Sequence, residues 1–532
     1  MKQKSVYSLL MIVLLGSCGQ QRDSRESVAN KPEEKEEIIQ SRYLLLDSRI
    51  IEYTENAKLV VGTVEKYQNN PLFSEDKPWE KRFDNLYGNV IYDQEEAIYK
   101  CWYSPFIVDE SAKGMTLDER KAKPYNVPDN REMAICYATS TDGINWVKPE
   151  LNLVEFDGNS ANNILWRGGE ERDGLWEGPH GTGVFKDLLD PDPNRRYKAI
   201  LKGEVLSVSF SSDGIRWDPP ATCPEADVPG DTHNNAFWAP TLDKYVGITR
   251  EWGEYTGIDG VENKKITEVL NPTLRRDTYN TPTISDEITQ MFSDGNEDDE
   301  KKGRQVARIE SKDFVNWTKA EVVLEGMDLN HQTYAMPVFF YGGVYLGLLA
   351  IHQQSSDRVW TELTWSPDTK NWNRISPGTP LIPNSNEELD YDWGCVYACA
   401  TPLFMENEIR LYYGGSDWLH TSWRNAYLCM ATLRPDGFAG YEQESGPDLA
   451  VITTTPIPYS GKDIFINGDV AEGGSIQVAI LDKNSNEITQ ALPISATVTN
   501  GQLRLNDIVV TDQIRFRFEL NRAKLYSFSF ED

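Results

Sequence analysis

The segment Ser140-Thr141-Asp142-Gly143-Ile144-Asn145-Trp146 is the first of four copies of a Ser-x-Asp-x-x-x-Trp pattern in this chain of 532 residues. The other copies begin at Ser211, Ser311 and Ser366. Each copy follows a strand-like run, and two contain Asp-Gly, a dipeptide suited to tight hairpin turns. The pattern therefore predicts a repeated strand–turn–strand unit. In each unit the Asp accepts backbone bonds in the turn and the Trp packs on the sheet, which gives these residues a structural role and no catalytic one.

A further aromatic or aliphatic run accompanies these turns, and a fifth run ends in a weaker turn signal at Pro435-Asp436-Gly437. The runs cover residues 99–103, 197–202, 245–250, 344–351 and 409–413. Five strand-rich units that cannot each bury both faces predict radial stacking into a five-bladed β-propeller. No amphipathic helical pattern of about 10 to 15 residues alternates with the strands, which argues against a parallel α/β fold.

The composition changes near residue 446 to short alternating strands. These strands cover residues 464–466, 476–480, 514–518 and 525–530, and Asn467-Gly468 and Gly473-Gly474 are predicted turns. Alternation of apolar and polar residues gives each sheet one buried face. The sequence thus predicts an all-β chain, with the five-bladed β-propeller over residues 41–445 and a small C-terminal β-sandwich over residues 446–532.

The first forty residues carry an export signal. An apolar stretch over residues 9–15 is too short to span a bilayer, and Leu15-Gly16-Ser17-Cys18 resembles a bacterial lipobox. We expect residues 1–17 to be a lipoprotein signal peptide, Cys18 to carry the lipid, and residues 18–40 to form a flexible acidic tether. This predicts an outer-membrane lipoprotein on the periplasmic or cell-surface side. A plain secretory peptide with an incidental cysteine is the alternative.

Charge and composition limit the classes of partner that the protein can bind. The formal net charge of −30 argues against nucleic acid or an anionic membrane surface as the partner. The 15 Trp and 25 Tyr residues suit both strands and sugar-binding clefts, because a pyranose ring packs its C–H face on an aromatic ring. The six cysteines other than Cys18 lack the spacing of metal ligands, so we expect no metal site and no cofactor.

Several further motifs carry a family resemblance. They are Tyr87-Gly88-Asn89-Val90, Gly230-Asp231-Thr232-His233-Asn234-Asn235, Met336-Pro337-Val338-Phe339 and Tyr412-Tyr413-Gly414-Gly415. Together with the repeat and the sandwich, they make the chain similar to the bacterial propeller proteins related to glycoside hydrolase families 32 and 43. That resemblance implies an enzyme acting on carbohydrate. It does not specify the reaction, since one scaffold hosts several chemistries.

The acidic segments of true family 32 hydrolases, Asn-Asp-Pro, Arg-Asp-Pro and Glu-Cys, are missing from this sequence. Hydrolysis needs two carboxyl groups at a defined separation. None of the chain's 83 acidic residues stands out as a member of that pair. The candidates are Glu177, Asp231, Glu251, Glu310 and Asp392. An exo-acting glycoside hydrolase of the family 32/43 type therefore remains an alternative.

The five histidines are spread over different blades: His180, His233, His331, His352 and His420. Loops at one end of successive blades converge on a propeller axis, so these residues can form one cleft; five separately placed histidines are the alternative. The sequence most resembles the propeller-type oligosaccharide dehydratases of bacterial ulvan degradation. That resemblance implies abstraction of the proton α to a uronate carboxylate, loss of the C4 hydroxyl and formation of a 4,5-unsaturated uronate.

We assign roles to site residues on this basis. His233 or His331 is the expected base, and Tyr334 is a second proton-transfer candidate. Arg250 and Asn234 are expected to hold the substrate carboxylate, with His180 and Glu177 as further substrate-binding residues. The expected partner is an acidic, uronate-containing oligosaccharide at its non-reducing end. A non-catalytic glycan-binding lipoprotein is the competing class.

Overall fold

The computed structural model describes residues 41–125, 128, 130–168, 179–203, 205–256, 302–505 and 511–531. These residues confirm the predicted all-β class. Within the described ranges, helical structure is limited to Leu117–Ala122 and the short 3₁₀ segments Ser48–Ile50, Pro193–Arg195 and Pro224–Ala226. None of the described helices has the length and apolar character that crossing a bilayer requires. The predicted signal peptide, Cys18 and the tether lie outside the described residues.

Antiparallel blades follow one another along the chain, in agreement with the predicted five-bladed propeller. Blade 1 contains Asn89–Asp93, Ile98–Tyr103, Glu132–Ser140 and Trp146–Val147, with Phe106–Val108 and Ile164–Arg167 paired to its third strand. Blade 2 contains His180–Lys186, Tyr197–Lys202, Leu206–Ser211 and Ala221–Thr222. Blade 3 contains Asn235–Ala239, Lys244–Glu254, Lys302–Ser311 and Glu321–Glu325.

The last two blades share one continuous sheet. Blade 4 contains Val338–Tyr341, Val344–Gln353, Arg358–Ser366 and Asn373–Arg374, with His331–Thr333 paired to its second strand. Blade 5 contains Cys395–Ala398, Leu403–Phe404, Ile409–Ser416 and Ala426–Leu433. Its outermost strands, Glu65–Lys66 and Phe73–Ser74, come from the start of the folded chain. An early segment therefore completes the last blade and closes the ring.

Hydrogen bonds between neighbouring blades hold the innermost strands around the axis. These bonds run from Val184 N to Asn89 Oδ1, from Asn234 N to Gly181 O, from Val338 N to Asn235 Oδ1 and from Ala400 N to Gly88 O. Between blades 4 and 5, the rings of Phe339 and Phe404 lie 6.0 Å apart. Each blade thus fixes the start of the next, and this ring positions the loops at its centre.

The repeated Ser-x-Asp-x-x-x-Trp segments form the predicted turns. In the first copy Asp142 Oδ1 accepts the backbone N–H groups of Ile144 and Asn145, both at 2.8 Å, and the Ser140 hydroxyl donates to the same carboxylate. The copies beginning at Ser211, Ser311 and Ser366 repeat these bonds. The structural role predicted for the repeat is therefore confirmed.

The sandwich differs from the prediction in two ways. Its strands come from both ends of the folded chain: Arg42–Leu44, Ile51–Glu55, Ala57–Val61, Ala439–Gln443, Ala450–Thr454, Ile457–Pro458, Asp463–Leu481, Glu487–Gln490, Val498–Gln502 and Gln513–Glu531. The predicted turns at Asn467-Gly468 and Gly473-Gly474 are wrong. Both sites are register shifts inside one 19-residue strand, which absorb extra residues and keep its apolar side chains on the core.

Candidate functional site

Three residues from the inner ends of blades 1 to 3 form what we call the Tyr87 group: Tyr87, His180 and His233. Each lies at or within two residues of the start of an innermost strand, which directs it towards the axis. The Tyr87 ring centroid lies 5.1 Å from that of His180 and 5.5 Å from that of His233. All three side chains are buried.

Blades 4 and 5 contribute a second set, which we call the Tyr334 group: Tyr334, Tyr397 and His420. The Tyr397 hydroxyl lies 2.9 Å from His420 Nδ1. The Tyr334 ring packs edge-on against His420, with centroids 4.9 Å apart, and its centroid lies 5.3 Å from that of Tyr397. Phenol and imidazole groups are therefore in direct contact here as well.

One amide joins the two groups. Asn85 Nδ2 donates to the Tyr87 hydroxyl at 2.9 Å and to the Tyr334 hydroxyl at 3.0 Å. Arg424 Nη2 donates to Asn85 Oδ1 at 3.0 Å and thereby fixes which end of the amide faces the tyrosines. Because both hydroxyls share one donor, the Tyr87 and Tyr334 groups belong to a single site.

Arg250 is the cation at the centre of this site. Its Nη2 donates to Asp231 Oδ2 at 2.6 Å, and its guanidinium lies 5.1 Å from the Tyr334 ring centroid. The residue is 3% exposed. Its Nε and Nη1 atoms are buried and have no hydrogen-bond partner within the described part of the chain. Buried donors are almost always satisfied, so these two point to an acceptor that a bound ligand would supply.

Asp231 links Arg250 to His180, whose Nδ1 lies 3.3 Å from Asp231 Oδ1. Burial raises the pKa of Asp231, but the positive charge of Arg250 and the other nearby basic groups outweighs burial and holds the pKa below its usual value. Burial also lowers the pKa of His180 to about 3, although Asp231 opposes this shift. At neutral pH the pair is an ionised carboxylate beside a neutral imidazole, an arrangement that orients a base.

The two central tyrosines differ electrostatically. Burial raises the pKa of Tyr87 far above its usual value. Burial also raises the pKa of Tyr334, but the charges of Arg250 and Arg304 oppose that shift. Since nearby cations stabilise a phenolate, Tyr334 is the better placed of the two to exchange a proton.

The edge of the site is basic despite the acidity of the whole chain. The Arg304 guanidinium lies 4.6 Å from the Trp252 ring centroid and 5.2 Å from that of Tyr334. Lys202 lies close enough for its charge to act on Asp231, and it is partly exposed. A net charge of −30 therefore does not prevent the site itself from attracting an anion.

The structure brings four of the predicted residues into this site: His180, His233, Arg250 and Tyr334. It places His331 elsewhere: that ring contacts Asp328 at 2.9 Å, Gln353 and Trp360, none of which belongs to either group. We therefore remove His331 from the catalytic assignment. Glu177 lies outside the described residues, and its predicted role stays a prediction.

Asn234 also departs from its predicted role. Its Nδ2 donates to Gly230 O at 2.9 Å, and it also lies within bonding distance of the Gly181 and Thr232 carbonyls, while its Oδ1 accepts from Thr249. The side chain is fully buried. Because its amide already holds the loop before blade 3, it has no capacity left for a substrate carboxylate, and we assign it to the architecture.

The carboxylates proposed for hydrolysis do not form a pair among the described residues. Asp231 is in the site, whereas Glu251 faces a separate cavity of about 380 Å³ together with Cys223 and Asp227. Glu310 forms ion pairs with Lys244 and Arg308, and Asp392 is buried against Lys66 and Tyr413. The described chain thus presents one candidate carboxylate from that set at the axis.

Sequence reasoning missed the roles of Tyr87, Asn85 and Tyr397. Tyr87 lies in a motif that we used only as a mark of the fold, and Asn85 and Tyr397 have no motif of their own. The available signal was position, since Asn85 and Tyr87 lie just before the first innermost strand and Tyr397 lies in the first strand of blade 5.

Acid should destabilise the protein partly through His233. Burial lowers the pKa of this imidazole from 6.5 to about 3. Between these values the unfolded chain binds a proton that the folded chain excludes, so stability falls as pH drops from about 6.5 towards 3. For His233 alone the expected loss between pH 7 and pH 5 is about 2 kcal/mol.

Urea unfolding of the wild type and of His233→Gln at pH 7 and pH 5 measures this effect. Acidic side chains also titrate in this range, so the quantity of interest is the difference between the two proteins. His233→Gln should lose less stability on acidification than the wild type. Equal losses in both proteins would show that His233 is not held neutral by the fold.

Comparison with known proteins gives distant likenesses only. No family model and no curated protein matches the chain. Among solved structures, a protein of Parabacteroides distasonis classed as a glycoside hydrolase has a TM-score of 0.42 at 12% identity, over 73% of this chain and 97% of that one. A Bacteroides thetaiotaomicron protein classed as a glycosidase gives 0.41 at 16% identity, over 70% and 97%. A structure described under the GH130 mannoside phosphorylase family gives 0.41 at 13% identity, over 70% and 94%. Likenesses this distant decide neither the reaction nor the substrate.

Proposed function

We propose that this protein is a carbohydrate-active enzyme that dehydrates the non-reducing-end uronic acid of oligosaccharides from an ulvan-type algal polysaccharide. The product is a 4,5-unsaturated uronate. One observation carries the proposal: Arg250 presents two buried, unsatisfied donors between the Tyr87 and Tyr334 groups. A uronate carboxylate bound there would supply the missing acceptor and place the neighbouring C5 proton among histidines and tyrosines.

The chemistry requires a base, an acid and a site for negative charge. A base takes the C5 proton, the C4–O bond breaks as an acid protonates the leaving hydroxyl, and the C4=C5 double bond forms. One water is released, and no oxidant or reductant is consumed. Charge builds on the carboxylate in the transition state, where a fixed guanidinium stabilises it most effectively in a buried site.

The base is a neutral histidine of the Tyr87 group. His233 is one of the two bases that the sequence offered. His180 joins it as a candidate because the ionised carboxylate of Asp231 lies 3.3 Å from its Nδ1 and orients the imidazole. Tyr334 gives the proton to the leaving hydroxyl, since its own hydroxyl faces Asn85 and two guanidinium groups flank its ring.

Hydrolysis is the second candidate, and one observation favours it. Asp231 is ionised and partly exposed, with 24% of its side chain accessible, as a glycosidase nucleophile would be. A hydrolase would also need a protonated carboxyl group nearby. Glu177 is the remaining sequence candidate for that role.

One assay separates these reactions. The protein is incubated with glucuronate- or iduronate-ended oligosaccharides of ulvan, and with pectin, fructan and arabinan fragments. Dehydration gives a product one water lighter than the substrate, with a new ultraviolet absorbance from the conjugated double bond. Loss of a whole sugar without that absorbance would establish hydrolysis instead. Binding without turnover on every substrate would identify a glycan-binding protein.

We further propose that the protein is exported and anchored in the outer membrane through a lipid on Cys18. Cys18→Ala should move the protein from the membrane fraction to the soluble fraction, because several acyl chains hold a lipoprotein and none would remain. Fractionation of cells after a salt wash measures this shift, with Cys223→Ala as the control. A Cys18→Ala protein that still sediments with membranes after the wash would contradict this anchor.

A further inference from the structure

The Tyr334 group contains an imidazole that the assignments above leave unused. His420 contacts both Tyr334 and Tyr397: its Nδ1 is 2.9 Å from the Tyr397 hydroxyl, and its ring packs on the Tyr334 ring. The His420 side chain is buried, with 8% of the residue exposed. A phenol and an imidazole at this separation are within proton-transfer distance.

A buried histidine–aspartate pair fixes the loop that carries His420. His352 Nε2 lies 3.0 Å from Asp357 Oδ1, and both residues are almost completely buried. The Asp357 backbone carbonyl accepts the N–H of His420 at 2.9 Å, and Asp357 Oδ2 accepts both the N–H and the hydroxyl of Thr421. The His352 and His420 ring centroids are 4.5 Å apart.

The tautomer of His352 follows from its partners. The amide Nε2 of Gln354 lies 3.0 Å from His352 Nδ1 and donates to it, so the ring proton is on Nε2 and points at Asp357. Both ring nitrogens of His352 are therefore occupied, and this residue has no free position for a substrate. His352 can therefore act only by positioning.

On these contacts we propose that His420, paired with Tyr397, is a proton-relay residue that restores to Tyr334 the proton given to the leaving C4 hydroxyl, and that His352 and Asp357 are its positioning residues. The inference rests on the proposed dehydration. It gives the site an acid–base group on blade 5 in addition to the base on blades 2 and 3. The proton that Tyr334 gives to the hydroxyl is then restored from the His420–Tyr397 pair, and the pair regains a proton from water when the product leaves.

Two variants test the pair. His420→Gln removes the titrating group and keeps a side chain of similar reach, and Tyr397→Phe removes one hydroxyl and keeps the packed ring. On a uronate-ended oligosaccharide, His420→Gln should lower kcat by roughly 10²-fold or more and change KM little. Tyr397→Phe should also lower kcat, and it should shift the pH profile of kcat. His331→Gln, a histidine whose contacts lie outside both groups, should keep wild-type kinetics.

A positioning role for Asp357 is tested separately. Asp357→Asn cannot accept from both His352 and Thr421, so kcat should fall while the pH profile keeps its shape, because the titrating His420–Tyr397 pair is still present. Thermal unfolding of each variant shows whether it is folded. Tyr397→Phe decides the question if His420→Gln does not fold.

The outcomes separate the inference from the proposed function. If the wild type forms unsaturated product and Tyr397→Phe and His420→Gln retain its kcat, the inference is wrong and the dehydration stands. If the wild type forms no unsaturated product from any uronate-ended oligosaccharide, the proposed function is wrong and the inference falls with it. A loss of kcat confined to the two variants, with His331→Gln unchanged, supports both.

Discussion

Arg250→Lys should lower kcat/KM on a uronate-ended oligosaccharide by roughly 10²- to 10³-fold, the usual effect of removing one donor that stabilises developing charge. Lysine keeps the positive charge beside Asp231 but loses the planar fork that offers Nε and Nη1 to a carboxylate. Initial rates over a range of substrate concentrations, followed by ultraviolet absorbance, measure this loss.

The matched control for Arg250→Lys is Arg216→Lys. The Arg216 side chain is 74% exposed and pairs only with Asp213 in the described chain, so this variant should behave as the wild type. A second control uses a substrate whose carboxylate is reduced to an alcohol, on which the wild type should be nearly inactive. Equal activity of Arg250→Lys and wild type on the uronate would remove Arg250 from carboxylate binding. A wild type that acts equally on the reduced sugar would favour the hydrolase.

The propeller was predictable because its turns are local. Asp142 accepts hydrogen bonds from Ser140, Ile144 and Asn145, all within six residues, so each copy of the pattern signals its own hairpin. The closure of blade 5 was not predictable. Its outer strands Glu65–Lys66 and Phe73–Ser74 are two residues long, too short for any periodicity, and they pair with residues more than 350 positions away. The bent strands of the sandwich were missed because a glycine pair marks a turn or a bulge equally well.

The site was predictable in part for a related reason. Histidines are rare in this chain, and His180 and His233 stand beside strand starts, where a propeller directs its loops to the axis. Burial and hydrogen bonding cannot be read from a motif. Asn234 looks like a ligand-binding amide, but its donors hold backbone carbonyls, and His331 looks equivalent to His233 although its strand directs it elsewhere.

Tyr334→Phe should have the largest effect on kcat of any single-atom change in the protein, a loss of roughly 10²- to 10⁴-fold with KM nearly unchanged. The variant keeps the ring that packs on Arg250, Arg304 and His420, so the fold should be retained. It removes the hydroxyl that shares Asn85 with Tyr87.

The pH dependence supplies an independent test of that role. Burial raises the pKa of Tyr334 above its usual value, against the effect of Arg250 and Arg304, so the phenol is protonated at neutral pH and can act as an acid. Wild-type kcat should then fall at high pH as this proton is lost, and the residual activity of Tyr334→Phe should lack that alkaline fall. Tyr53→Phe, at an exposed tyrosine of the sandwich, is the control and should match the wild type in both rate and profile. A Tyr334→Phe enzyme with wild-type kcat, or with the alkaline fall intact, would mean that another group protonates the leaving hydroxyl. The Tyr87 hydroxyl, which accepts from the same Asn85 amide, would then be tested by Tyr87→Phe.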